Sequence, residues 1–120
     1  MTNAFVLGAF AAALGIALGA FGAHALSGIE PEKMSYWAKA TQYHFVAAFG
    51  LLAAGALEWH RQTLLRGPSV LFVLGIVLFS GSLYAMTLGA PRWFGAITPL
   101  GGLALIGGFV WLGIAALGSS

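Results

Sequence analysis

TNAFVLGAFAAALGIALGAFGAHAL, residues 2–26, contains no charged side chain. A helix that spans a bilayer needs about 20 consecutive, predominantly apolar residues to cross about 30 Å of hydrocarbon. This stretch meets that length, and its neighbours repeat the pattern. Glu30, Glu32, Lys33 and Lys39 follow it, then residues 43–57 are uncharged. Glu58, His60, Arg61 and Arg66 interrupt, and residues 67–91 are again free of charge. After Arg92 the chain carries no further charge to residue 120. The second run is short, but Tyr36 and Trp37 extend it as interfacial aromatics. The expected fold is all-α: a single integral membrane domain, residues 1–120, forming a four-helix bundle with short loops. The helices are predicted near 3–26, 36–58, 68–89 and 95–117, which puts both termini on the same side.

Composition agrees. Only 7% of the residues are charged and 60% are hydrophobic, whereas soluble domains carry about 25% charged residues. The net charge of +2 arises from five basic and three acidic residues, too few for a nucleic-acid surface. With no cysteine, disulfides and thiolate metal sites are excluded. Ala23-His24-Ala25 has the small-x-small form of a signal cleavage site. The run lacks a basic leading segment and exceeds the usual 7–15 residue core, so retention as a helix is expected.

Local signals punctuate the same boundaries. Ser27-Gly28 and Gly89-Ala90-Pro91 suit helix C-termini, and Pro31 suits a first turn. Residues 31–42 mix polar and apolar types, so helix 2 is a candidate to begin as an interfacial stretch. Gly67-Pro68 reads as a stop followed by a start. Thr98-Pro99 reads either as a cap with a first-turn proline or as a kink in a longer helix. Basic residues number two on the loop 2 side (Arg61, Arg66) and three on the other (Lys33, Lys39, Arg92). The positive-inside rule therefore sets no orientation, and insertion in both directions stays open.

Eighteen glycines are useful in lipid, where helices associate through close packing over small residues. Helix 1 carries Ala11, Gly15, Gly19 and Ala23 at four-residue spacing, with Gly15 and Gly19 forming a GxxxG pair. Helix 4 carries Gly101, Ala104, Gly108 and Ala115. Gly15, Gly19, Gly101 and Gly108 are the expected packing positions.

Few side chains could carry chemistry. Ser80, Tyr84 and Thr87 fall at i, i+4 and i+7, hence on one face of helix 3. They would suit a pore or ligand stripe, or simply interhelical hydrogen bonds. His24 and His44 could together ligate a haem or metal, or each could bond a hydroxyl or carbonyl. Connectivity brings His24, Tyr43, His44, Ser80, Tyr84, Thr87 and Thr98 toward the leaflet of loops 1 and 3. His24 is the expected hub of that polar cluster. A proton-coupled carrier would want a carboxylate deep in the membrane, and Glu58 lies only near a helix end. No nucleophile–base pair, zinc motif or phosphate loop is present, so no catalytic residue, metal or cofactor is expected.

Three strings are more specific: GAFGAHAL at 19–26, FSGSLY at 79–84 and ITPLGG at 97–102, with Trp37 and Tyr43 between them. In this order and spacing they resemble the YgdD/YwdK-like family of small membrane proteins, the domain of unknown function 423, to which animal transmembrane protein 256 is also similar. The resemblance implies a four-helix protein of the bacterial cytoplasmic membrane and no established activity. It also implies a Tyr-Gln pair after the tryptophan and a histidine three residues beyond that glutamine. Here the pair is Tyr43-His44, with Ala47 at the later position. The expected function is non-enzymatic: an accessory subunit of a larger membrane complex, or a binder of lipids or partners. A small oligomeric channel or carrier around the helix 3 stripe is the alternative, and a haem or metal binder the third.

Overall fold

The structure, a computed structural model, describes residues 3–118. Four long apolar helices dominate it. Helix α1 is Asn3–Ala25, α2 is Pro31–Arg61, α3 is Arg66–Thr87 and α4 is Thr98–Gly118. A 3₁₀ turn, Arg92–Ala96, leads into α4.

The helix ends follow local chemistry. Loop 1 turns at Gly28, whose φ of +91° is left-handed, and Pro31 opens α2 directly after Glu30. α2 is therefore longer than the sequence indicated, and residues 31–42 run into the span as one continuous helix. Its other end is closed by Gln62 in the left-handed conformation, with its N–H on the Glu58 carbonyl. Gly67 is not the stop that Gly67-Pro68 suggested. It lies inside α3, where a Cβ would overlap the Trp111 indole, so packing rather than chain reversal demands glycine. Loop 3 turns at Gly89, φ +115°. Thr98 and Pro99 begin α4, which makes Pro99 a first-turn proline and not a kink.

α3 contains a π-helical turn at Ile76–Ser80. Such a turn holds one residue more than an α-turn, and it commonly marks a place where side chains must be redirected.

The helices stand in an open row rather than a closed square. α1 packs on α2, α2 on α3, and α3 on α4, giving a slab of 52 × 26 × 16 Å. The core, Ala47, Leu51, Ala54, Phe72 and Leu105, sits between α2, α3 and α4, with Ala4 closing it from α1. Only 17% of the most apolar stretch of α1 and of α4 is buried, against 44% for α2. The outer helices thus give most of their surface to lipid.

Packing of α1 on α2 corrects one expectation. Ala4, Gly8, Gly15 and Gly22 are the buried positions of α1, while a Cβ at Gly19 would meet nothing within 4 Å. The reason is helical phase. Repeated steps of four residues advance about 40° each at 3.6 residues per turn, so the series 11, 15, 19, 23 winds off its face. The series 8, 15, 22 drifts only about 20° per step and stays on it. A Cβ at Gly8 would lie 2.8 Å from the Ala48 carbonyl oxygen, and one at Gly15 would lie 2.9 Å from the Phe45 ring. Gly101 and Gly108 pack as expected, against the Phe79 backbone and the Phe72 ring.

Candidate functional site

The polar residues of the membrane interior form a set of interhelical clips centred on α2. His44 is almost fully buried. Its Nε2 lies 2.8 Å from the Ala11 carbonyl of α1 and its Nδ1 3.0 Å from the Tyr84 hydroxyl of α3. A carbonyl only accepts, so Nε2 carries the proton and donates, and Nδ1 accepts from Tyr84. Both ring nitrogens have partners, and the side chain ties three helices together. Ala11 lies three residues from the midpoint of α1, well inside that helix.

The same geometry repeats one heptad away. Trp37 is buried, and its Nε1–H donates to the Leu18 carbonyl at 2.9 Å. Residues 37 and 44 of α2 thus reach residues 18 and 11 of antiparallel α1, seven apart on each helix. Trp37 also packs on Tyr84, with centroids 4.6 Å apart. It is a core residue, because Gly22 leaves it a seat against α1.

On the α3 side the hydroxyls are the donors. Ser80 Oγ, at the end of the π turn, donates to the Ala40 carbonyl at 2.7 Å, and Thr87 Oγ1 to the Lys33 carbonyl at 3.2 Å. Ser80 and Thr87 are seven apart, as are Lys33 and Ala40. The stripe Ser80, Tyr84, Thr87 does share one face, and that face is turned into α2. On the far side of α3, Ser82 and Thr98 share a hydrogen bond of 2.6 Å. Among the described residues, no buried side-chain nitrogen or oxygen lacks a partner.

Two predicted members stand apart. His24 is exposed near the end of α1, about 20 Å along the helix from Ala11. It is neither the hub nor a partner for His44. The expectation failed because His24 lies off the 8, 15, 22 face, whereas position 44 stands seven residues after buried Trp37. Tyr43 is half-exposed and packs on Phe79, centroids 4.7 Å apart.

The two surfaces hold the remaining polar contacts. Glu32 Oε1 accepts from the Tyr36 hydroxyl at 2.8 Å and from Arg92 Nη2 at 3.1 Å, joining α2 to loop 3. At the opposite surface, buried Glu58 accepts the Leu65 N–H at 2.7 Å through Oε2. Arg61 donates to the Ala115 and Ala116 carbonyls at 2.8 and 2.6 Å. The capping role of Glu58 was missed because a lone acid beside two basic residues reads as solvated. His60 is exposed as expected.

Fold and clips define a class: a four-span integral membrane protein whose interior polar groups bind its own helices together. The profile described as Protein of unknown function (DUF423) matches residues 18–102, and the chain belongs to that family. It is similar to a UPF0382 membrane protein of Staphylococcus epidermidis, 43% identical over 93% of each chain. It is also similar to UPF0382 membrane protein YwdK of Bacillus subtilis, 41% identical over 93% of this chain and 94% of that one. For UPF0382 inner membrane protein YgdD of Escherichia coli the identity is 36%, covering 98% and 92%. No solved structure matches. The protein is accordingly an integral protein of the bacterial cytoplasmic, or inner, membrane.

Proposed function

We propose that this chain acts by binding other membrane components, as an accessory membrane subunit or lipid-binding scaffold, and not as an enzyme. The observation that carries this reading is the internal satisfaction of the buried polar groups. Catalysis or ion passage requires polar groups that converge on a space a substrate can enter. Here those groups converge on backbone carbonyls and on one another. What the chain offers outward is apolar surface: the outer faces of α1 and α4, with Phe10, Ile16, Leu103, Ile106 and Ile114 all well exposed.

The channel alternative would need the Ser80, Tyr84, Thr87 stripe to face a shared pore, and that stripe is turned into α2. Joint ligation through His24 and His44 would need those rings to meet, and they stand about 20 Å apart along the bundle. Gentle solubilisation from native membrane, followed by mass spectrometry, tests the reading. A stoichiometric membrane protein or retained lipid is the expected result. A homo-oligomer free of both that conducts ions in planar bilayers would overturn it.

A further inference from the structure

We propose that the groove between α2 and α4, with Lys39 at its mouth, binds one anionic phospholipid; this rests on the binding role above. The groove encloses about 520 Å³ and is walled by Tyr43 and Val46 of α2, Phe79 of α3, and Gly102, Ile106 and Phe109 of α4. It exists because α4 leans on α3 and meets α2 only briefly, leaving a slot open sideways to the hydrocarbon. Gly102 keeps the slot wide: a Cβ there would sit 3.7 Å from the Phe79 ring, in ordinary contact only.

Charge and depth select the occupant. Lys39, Tyr43 and Val46 stand at i, i+4 and i+7 on α2, so Lys39 heads the same stripe that walls the groove. Glu58, at the start of the opposite polar surface, is about 29 Å further along α2, close to the hydrocarbon thickness. Lys39 follows the surface residue Glu32 by seven positions, about 10 Å, and its long side chain leans back toward the helix N-terminus, so its ammonium reaches headgroup level. Lys33 is held by Glu30 at 4.0 Å and Arg92 by Glu32 at 3.1 Å. Of the lysines and arginines on this surface, Lys39 alone has no carboxylate partner among the described residues. The Tyr43 hydroxyl likewise has no protein partner among them, and side chains on a helix lean toward its N-terminus, here toward Lys39. An ammonium and a free hydroxyl above an apolar slot suit a phosphodiester with its acyl chain below. The ammonium pairs with the phosphate, the hydroxyl donates to a phosphate or ester oxygen, and the chain lies along Phe79 and Phe109.

The test uses the purified full chain in detergent, with unfolding followed by tryptophan fluorescence. Dioleoylphosphatidylglycerol and dioleoylphosphatidylcholine are added in parallel, so the acyl chains are identical. The phosphatidylglycerol is expected to raise the midpoint by several degrees and the phosphatidylcholine clearly less. Lys39→Gln should remove the difference and keep the smaller common response. Gly102→Leu, which fills the slot without a backbone clash, should remove both. Arg92→Gln, a cation lost from the same surface away from the groove, should keep the preference. Equal responses to the two lipids in the parent, or a preference that survives Lys39→Gln, would overturn the proposal. If a stoichiometric protein partner still co-purifies in that event, the lipid site fails while the binding role stands.

Discussion

His44 shows what one side chain does when water is absent. In lipid a buried donor or acceptor has no solvent to fall back on, so its partner must come from the chain. His44→Ala strands the Tyr84 hydroxyl and leaves a void between α1, α2 and α3. An unsatisfied buried group costs about 1–3 kcal/mol, and the void adds to that. The expected result is a clearly lower unfolding midpoint in detergent. His44→Gln, which keeps one donor and one acceptor, should recover part of the loss. His24→Ala should leave the midpoint unchanged, since that side chain is exposed. Equal destabilisation by the two alanine variants would contradict the assignment of His44 as the clip.

Between helices, glycine phase decides the contact. Gly22→Leu drives a side chain into the Trp37 indole, and Gly15→Leu drives one into Phe45 and His44. Overpacking of this kind typically costs about 1–3 kcal/mol. Gly19→Leu enters open space and should be tolerated. Thermal unfolding of the three variants ranks them, and a destabilised Gly19→Leu would show that α1 is rotated from the face described. A smaller effect is expected at the end of α4. Its last carbonyls carry the negative end of the helix dipole, and the Arg61 guanidinium caps them. Loss of a cation there is worth about 0.3–1 kcal/mol. Arg61→Ala should therefore fray the C-terminal turn, read as faster carboxypeptidase trimming at little cost in global stability.

For the molecule as a whole, four spans oblige loops 1 and 3 to share a surface, and there the Arg92–Glu32 pair joins loop 3 to the first turn of α2. The chain has no cysteine, so single cysteines report cleanly. Ser27→Cys and Pro91→Cys should react with an impermeant thiol reagent from one side of sealed vesicles, and Thr63→Cys from the other. Labelling of every site from both sides would reveal mixed insertion. The open row also makes α1 the most separable part, since α2 alone holds it firmly. After cleavage in loop 1, α1 should stay associated in the parent and dissociate in Gly22→Leu, as judged by gel filtration in detergent.

The solvent, the number of spans and their approximate limits were legible in the residues alone. Those rest on runs of uncharged residues measured against a fixed hydrocarbon thickness, a local property that needs no partner. The sequence also placed Ser80, Tyr84 and Thr87 on one face, because helical period is local as well. The tertiary structure decided which element that face meets, that His44 rather than His24 lies inside, and that Trp37 is core. It decided too that Gly67 serves packing and that Glu58 caps a neighbouring helix. Each of these depends on the rotation of one helix against another. That rotation is set by interlocking small and large side chains on both partners, such as Gly22 with Trp37 and Gly101 with Phe79. Four helices that are apolar on nearly every side carry little hydrophobic asymmetry to show which way they turn, so their facing is fixed only when they pack.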